Sequence, residues 1–127
     1  MAKGVTKGPK KQHYVDNKKL YEAMVVYLDD LKRAAAAGEE KPRITPYIGE
    51  CIMKISTHLA YRPNFSNYTF IEEMISDGIE NCILYMHNFN PEKTQNPFAY
   101  FTQIIFFAFI RRIQKEKKYL YTKFSAT

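Results

Sequence analysis

Two dipeptides, Thr45-Pro46 and Asn96-Pro97, do most to limit what this chain folds into. In each, a side chain suited to cap orphan backbone donors precedes a proline, whose missing N–H and fixed φ fit the first helical position. Behind Thr45, residues Ile48, Ile52, Ile55 and Leu59 recur at helical spacing, and Arg62-Pro63 ends the run because a residue before proline is pushed out of helical geometry. Behind Asn96, residues Phe98, Phe101, Ile105, Phe109 and Ile113 share one apolar side, in a helix expected to reach about Lys118. Asn17 is the expected cap of an earlier helix with Leu20, Met24, Tyr27, Leu28 and Leu31 inward, running through Ala34–Ala37 to a stop at Gly38. Ser66 or Thr69 is expected to open one more, burying Ile71, Ile75, Ile79, Cys82 and Met86 and ending near Asn88. No segment alternates with period two for long enough to make a strand. The predicted fold is all-α, a compact domain of four to five helices.

The 127 residues suit one domain, 14–127, after a basic arm over 1–13 that carries Lys3, Lys7, Lys10 and Lys11. A net charge of +6 favours an anionic partner. Cys51 and Cys82 are too far apart for a zinc motif and read as small core residues of a reducing compartment. No apolar stretch follows the N-terminal lysines, so no secretory signal is read there. The apolar run 97–110 contains Thr102 and Gln103 and stops at Arg111, too short and polar for a bilayer, and no membrane partner is expected.

The two C-terminal helices carry opposite chemistry. Residues 69–89 hold Glu72, Glu73, Asp77 and Glu80 with no Lys or Arg. On a helical projection Glu73, Asp77, Glu80 and Leu84 form a ridge, with Ser76, Gly78 and Asn81 beside it. No (i, i+4) cation offsets the carboxylates, and a mid-helix Gly78 costs roughly 1 kcal/mol against Ala, which points to packing or close approach. Such a ridge suits a basic helix of a partner; an ordinary solvated face is the plainer reading. On the last helix Tyr100, Gln103, Phe107, Arg111, Gln114 and Lys118 lie opposite the core side, followed by Arg112, Lys115 and Lys117. Aromatic rings alternating with amide and guanidinium donors suit unstacked bases, and the cationic tail suits phosphate. The alternative is that Tyr100 and Phe107 pack against the first helix or the tail YLYTKF.

No phosphate-cradling glycine motif occurs, His13, His58 and His87 are scattered, and adjacent Glu72 and Glu73 point to different faces. Nothing argues for catalysis, a cofactor or a metal.

The stretch EMISDGIENCILYMHNFNPEK (73–93) resembles region 2.2 of bacterial sigma factors, and AYFTQIIFFAFIRR (99–112) resembles the promoter-melting helix that follows it. The order YVDNKKL (14–20), RPNFSNYTF (62–70), EMISDGIE (73–80), HNFNPEKTQNPFAYFTQ (87–103) and RRIQKEKK (111–118) is similar to the T-even-type phage late-transcription sigma factors. That resemblance implies a sigma region 2-like helical domain acting in the cytoplasm of an infected bacterial host. It implies docking on the β′ clamp helices of host RNA polymerase core through Glu73, Ser76, Asp77, Glu80 and Ile83, with Asn81 and Leu84 alongside. It implies that Tyr100 captures a flipped −10 base and that Phe107 and Arg111 lie at the upstream edge, with Gln103, Arg112, Gln114, Lys115 and Lys118 as further promoter DNA contacts. A late coactivator and a sliding clamp are the implied further partners.

The sequence departs from sigma factors where a Trp pair stands, here Gln103 and Ile104, and where Phe107 and Ile110 replace polar base-reading residues. The family's C-terminal sliding-clamp segment and a second DNA-binding domain are not found up to Thr127, so either a shortened relative or a polymerase- and DNA-binding core of a longer one is expected. The rival expectation is a phage protein that occupies the clamp helices and inhibits or redirects host polymerase without reading DNA.

Overall fold

The computed structural model describes residues 14–125, with side chains described to Leu120. The basic arm over 1–13 lies outside the described residues. Four α-helices follow in order: α1 (Asn17–Ala37), α2 (Pro46–Ala60), α3 (Ile71–Tyr85) and α4 (Pro97–Ser125), with a 3-10 turn at Met86–Asn88 between the last two. Among the described residues there is no strand, and the all-α expectation holds.

Local chemistry sets most boundaries. Thr45 accepts from the Ile48 amide at 3.3 Å with Pro46 at the first helical position. Asn96 Oδ1 likewise accepts from Ala99 N at 3.0 Å ahead of α4. Gly38 closes α1 at φ 70°, donating to Ala34 and Ala35 carbonyls, a left-handed stop that a Cβ would strain.

Three boundaries differ from expectation. The cap of α1 is Asp16, whose Oδ1 accepts from Lys19 N at 3.2 Å. Asn17 is instead the first helical residue and reaches across the fold, accepting from Phe98 N at 3.0 Å and donating to Asn96 Oδ1 at 2.8 Å. It thereby caps the start of α4 from outside. Neither Ser66 nor Thr69 opens α3; Phe70 precedes it without a side-chain cap, because residues 62–68 form turns held by Phe65 N and Ser66 N on the Arg62 carbonyl. The helix α4 runs on past Lys118 to Ser125.

The core is continuous through all four helices, with Leu20, Met24, Ile48, Ile52, Ile55, Met74, Phe101, Ile105 and Phe109 fully enclosed. Leu31, Leu59 and Phe98 pack against it half-buried. On α3 the buried line is Met74, Gly78 and Cys82, while Ile71, Ile75 and Ile79 flank it only partly covered. Gly78 explains the rotation: a Cβ there would lie 2.6 Å from Ser56 Oγ, 2.9 Å from Ile105 Cγ2 and 3.2 Å from Phe109 Cε1. The glycine lets α3 sit tight against α2 and α4, so the helix turns this side inward and its isoleucines to the edges. Ser56, buried beside it, donates to the Ile75 carbonyl at 3.0 Å and so leaves no unmet hydroxyl.

Candidate functional site

The helices α3 and α4 pack along each other more extensively than any other pair. Their pairings run in opposite chain directions: Arg112 against Asp77, Ile105 and Phe109 against Gly78, Phe101 against Cys82, Tyr100 against Tyr85. The acidic helix and the aromatic-to-basic helix are therefore antiparallel neighbours, and the two expected faces share one seam.

That seam consumes some of the residues expected to be free. Arg112 Nε donates to Asp77 Oδ2 at 2.7 Å and Nη2 to Asp77 Oδ1 at 3.1 Å, while Nη1 donates to Glu116 at 3.0 Å. Two carboxylates hold the guanidinium above its ordinary protonation range, the Asp77 bond first among the causes. The cation that offsets the α3 carboxylates thus comes from α4, beyond the reach of a same-helix count. Gly78, expected beside the outward ridge, faces inward; the close approach it permits is made by this chain's own α2 and α4.

Asn81 also turns to the seam, accepting from Arg111 Nη2 at 2.9 Å and donating to the Asp77 carbonyl at 2.9 Å. What remains outward on α3 is Glu72, Glu73, Ser76, Glu80, Ile83 and Leu84, all exposed. Among the described residues no ion pair involves Glu72, Glu73 or Glu80. Ile83 and Leu84 are 45% and 56% exposed, apolar surface next to the uncompensated charge. A small cleft of about 260 Å³ opens among Glu72, Glu73, Ser76, Asp77 and Arg112.

On α4, Gln103, Phe107, Arg111, Gln114, Lys115 and Lys118 are exposed, as the projection requires. Tyr100 is not. It lies half-buried, its hydroxyl donating to the Tyr85 carbonyl at 2.8 Å and its ring set edge-on to Phe89 at 5.2 Å. Burial raises its pKa, with the nearby Cys82 adding to the shift. What receives its ring is Phe89, in the link after α3. Phe107 is 49% exposed and touches Phe106 edge-on at 5.6 Å.

Sequence reasoning missed Phe106, 38% exposed and packed edge-on against Phe65 at 5.8 Å. The two rings stand over a groove of about 630 Å³ between the end of α2 and the first half of α4. Leu59, Phe65, Phe98, Phe106 and Phe107 give it apolar walls, Asn64, Thr102 and Gln103 give polar edges, and Arg62 is the one formal charge among its lining residues. Residue 14 enters beside it: Tyr14 stacks on His58 at 3.7 Å and meets Phe98 edge-on at 5.8 Å. The signal available in sequence was the FF pair itself, since neither Phe106 nor Phe107 falls on the core line through Phe101, Ile105 and Phe109.

Cys51 and Cys82 are both buried, and burial drives both thiol pKa values up. No described helix is long and apolar enough to cross a membrane. Comparison with known protein families finds none that matches the chain, and comparison with characterised proteins finds no match either.

Proposed function

We propose that this protein is a sigma-like transcription factor, binding RNA polymerase core through α3 and an AT-rich, −10-like promoter strand through α4. The observation that carries it is the coexistence, on adjoining helices, of an uncompensated acidic-apolar rim and an exposed aromatic-cationic row. Glu73, Glu80, Ile83 and Leu84 give a basic helical partner both charge and apolar contact. Phe107 with Phe106 offers flat apolar surface to an unstacked base, and Gln103 and Arg62 offer donors at the groove edge. Arg111, Lys115 and Lys118 supply the phosphate contacts. Tyr100, with its hydroxyl already engaged, serves as a wall of the link and not as the capturing ring.

The chemistry is binding and strand capture, with no bond made or broken. Initiation from supercoiled templates with an AT-rich −10-like element, using bacterial core polymerase plus this chain, tests the reading. Transcripts dependent on the chain are expected. Their absence even from pre-melted templates would sink it.

A second reading has a specific observation behind it. Arg112 and Tyr100 are both committed within the fold, which subtracts from the DNA face and not from the α3 rim. A protein that occupies the polymerase clamp without reading DNA would bind core equally well and yield no transcript of its own.

A further inference from the structure

Tyr14 and His58 form an aromatic feature outside the row on α4. Their rings lie parallel, tilted by 6° with centroids 3.7 Å apart, close to the rise of stacked bases, about 3.4 Å. The pair is pinned from both sides: Val15 next to Tyr14 is buried and Asp16 caps α1, while His58 stands in the last turn of α2. Tyr14 also meets Phe98 edge-on at 5.8 Å, and Phe98 is a wall of the groove that Phe106 and Phe107 overlook. The stack therefore begins one ring away from that groove. His58 is exposed, and Tyr14 is the one ring against it among the described residues.

The hydroxyls of Tyr21, Tyr27 and Tyr100 donate to the Pro91, Pro42 and Tyr85 carbonyls. That of Tyr14 has no acceptor among the described residues. Burial raises its pKa, so it stays a donor, and the Arg62 guanidinium is near enough to act on it in the opposite sense. Arg62 is itself exposed and in no ion pair among the described residues. A hydroxyl without an acceptor beside a guanidinium without a carboxylate suits a phosphate.

We propose that the groove takes two successive nucleotides of a single strand: one base lies on Phe106 and Phe107, the next continues the Tyr14–His58 stack on the open face of His58, and the phosphate between them meets Arg62 and the Tyr14 hydroxyl. This rests on the assignment of the α4 groove to an unpaired strand. Two protein rings already stacked are ordered before the strand arrives, so a third joins them at little further entropic cost. The residue before α1 and the end of α2 thereby become parts of the DNA site.

The test uses the whole chain, alone and on bacterial core polymerase, with forked DNA whose duplex fixes the register of an AT-rich single-stranded arm. An abasic nucleotide is walked along the arm, and binding is read by fluorescence anisotropy. Two adjacent abasic positions are expected to weaken wild-type binding, each by at least about fivefold, the lower end of base–aromatic stacking. Phe107→Ala should remove the penalty at one of them and His58→Ala at the other. His58→Phe keeps a flat ring and should keep its penalty. Arg62→Gln should lower the slope of log affinity against log salt by about 0.7, one single-strand phosphate contact. The wild-type walk decides the number of subsites whatever the stability of the variants: a penalty at one position alone overturns the second subsite. Equal weakening of every DNA by His58→Ala, or a His58→Phe that behaves like it, overturns it too, and a surviving Phe107-dependent penalty leaves the base groove standing. No binding by wild type in either setting overturns the assignment of α4 to DNA, and the second subsite with it.

Discussion

Arg112 grips Asp77 through two separate nitrogens, at 2.7 and 3.1 Å, across 35 positions of sequence. The contact ties the acidic helix to the basic one and makes Asp77 a structural residue as well as a surface one. Asp77→Ala is expected to lower stability by about 1–2 kcal/mol, a charge-assisted pair discounted for its partial exposure. Arg112→Ala should cost about as much, and the double variant less than the sum. Urea denaturation of the four proteins checks this. A charge reversal at Asp77 therefore disturbs fold and rim together, and Glu73 and Glu80 are the cleaner probes of docking.

Gly78→Ala places a methyl within 3.0 Å of both Ser56 Oγ and Ile105 Cγ2. Overpacking of that kind costs about 1–3 kcal/mol, against a gain of roughly 1 kcal/mol in helix propensity. A net loss is expected. Adding Ser56→Ala removes the nearest obstacle and should recover part of it, measured as thermal midpoint in the double variant against each single one. Full tolerance of Gly78→Ala would mean that α3 does not sit as close as described.

Asn17 holds the start of α4 from 81 positions away, through the Phe98 amide. Asn17→Ala is expected to cost about 1 kcal/mol, the usual loss of a capping side chain. Hydrogen exchange should show the loss concentrated at residues 97–101. A uniform loss across the chain would contradict the capping role.

Tyr100 and Phe107 were legible as one stripe, and the structure separates them. Tyr100→Phe removes the bond to the Tyr85 carbonyl and should cost about 0.5–1.5 kcal/mol of stability with little effect on DNA. Phe107→Ala should leave stability within about 0.5 kcal/mol. Its effect should fall on single-stranded DNA, with a loss of about 1–3 kcal/mol of binding if a base stacks there. Fluorescence anisotropy and thermal melts on the same two variants divide the roles, and the reverse pattern would reject the groove as a base site.

These cases show what the sequence carries and where it stops. Thr45, Pro46, Gly38, Asn96 and Pro97 act on backbone within four residues, so their effects are readable locally, and the helical stripes of α1, α2 and α4 follow from period alone. Asn17 looked like a cap because Asn caps helices; Asp16 sits one residue earlier, and only the arrival of α4 gives Asn17 its work. On α3 the expected Cys82 and Met86 are buried, while Ile71, Ile75 and Ile79 are only partly covered because the packing is organised by the smallest residue, Gly78, which hydrophobicity does not single out. The Asp77–Arg112 pair was out of reach because same-helix spacing says nothing of a cation on the next helix. The exposed row Gln103, Phe107, Arg111, Gln114 and Lys118 was legible, since exposure on a long helix is set by the opposite core side.

The most direct measurement is equilibrium binding of three proteins to bacterial RNA polymerase core, followed by 2-aminopurine fluorescence of an AT-rich −10-like promoter in the resulting complexes. Wild type should bind core and open the DNA. Glu73→Lys with Glu80→Lys should lose core binding at least tenfold, about 1.4 kcal/mol, and Phe107→Ala should bind core normally yet fail to open the DNA. Equal core binding by all three, or loss of it in Phe107→Ala, would contradict the division of labour between α3 and α4.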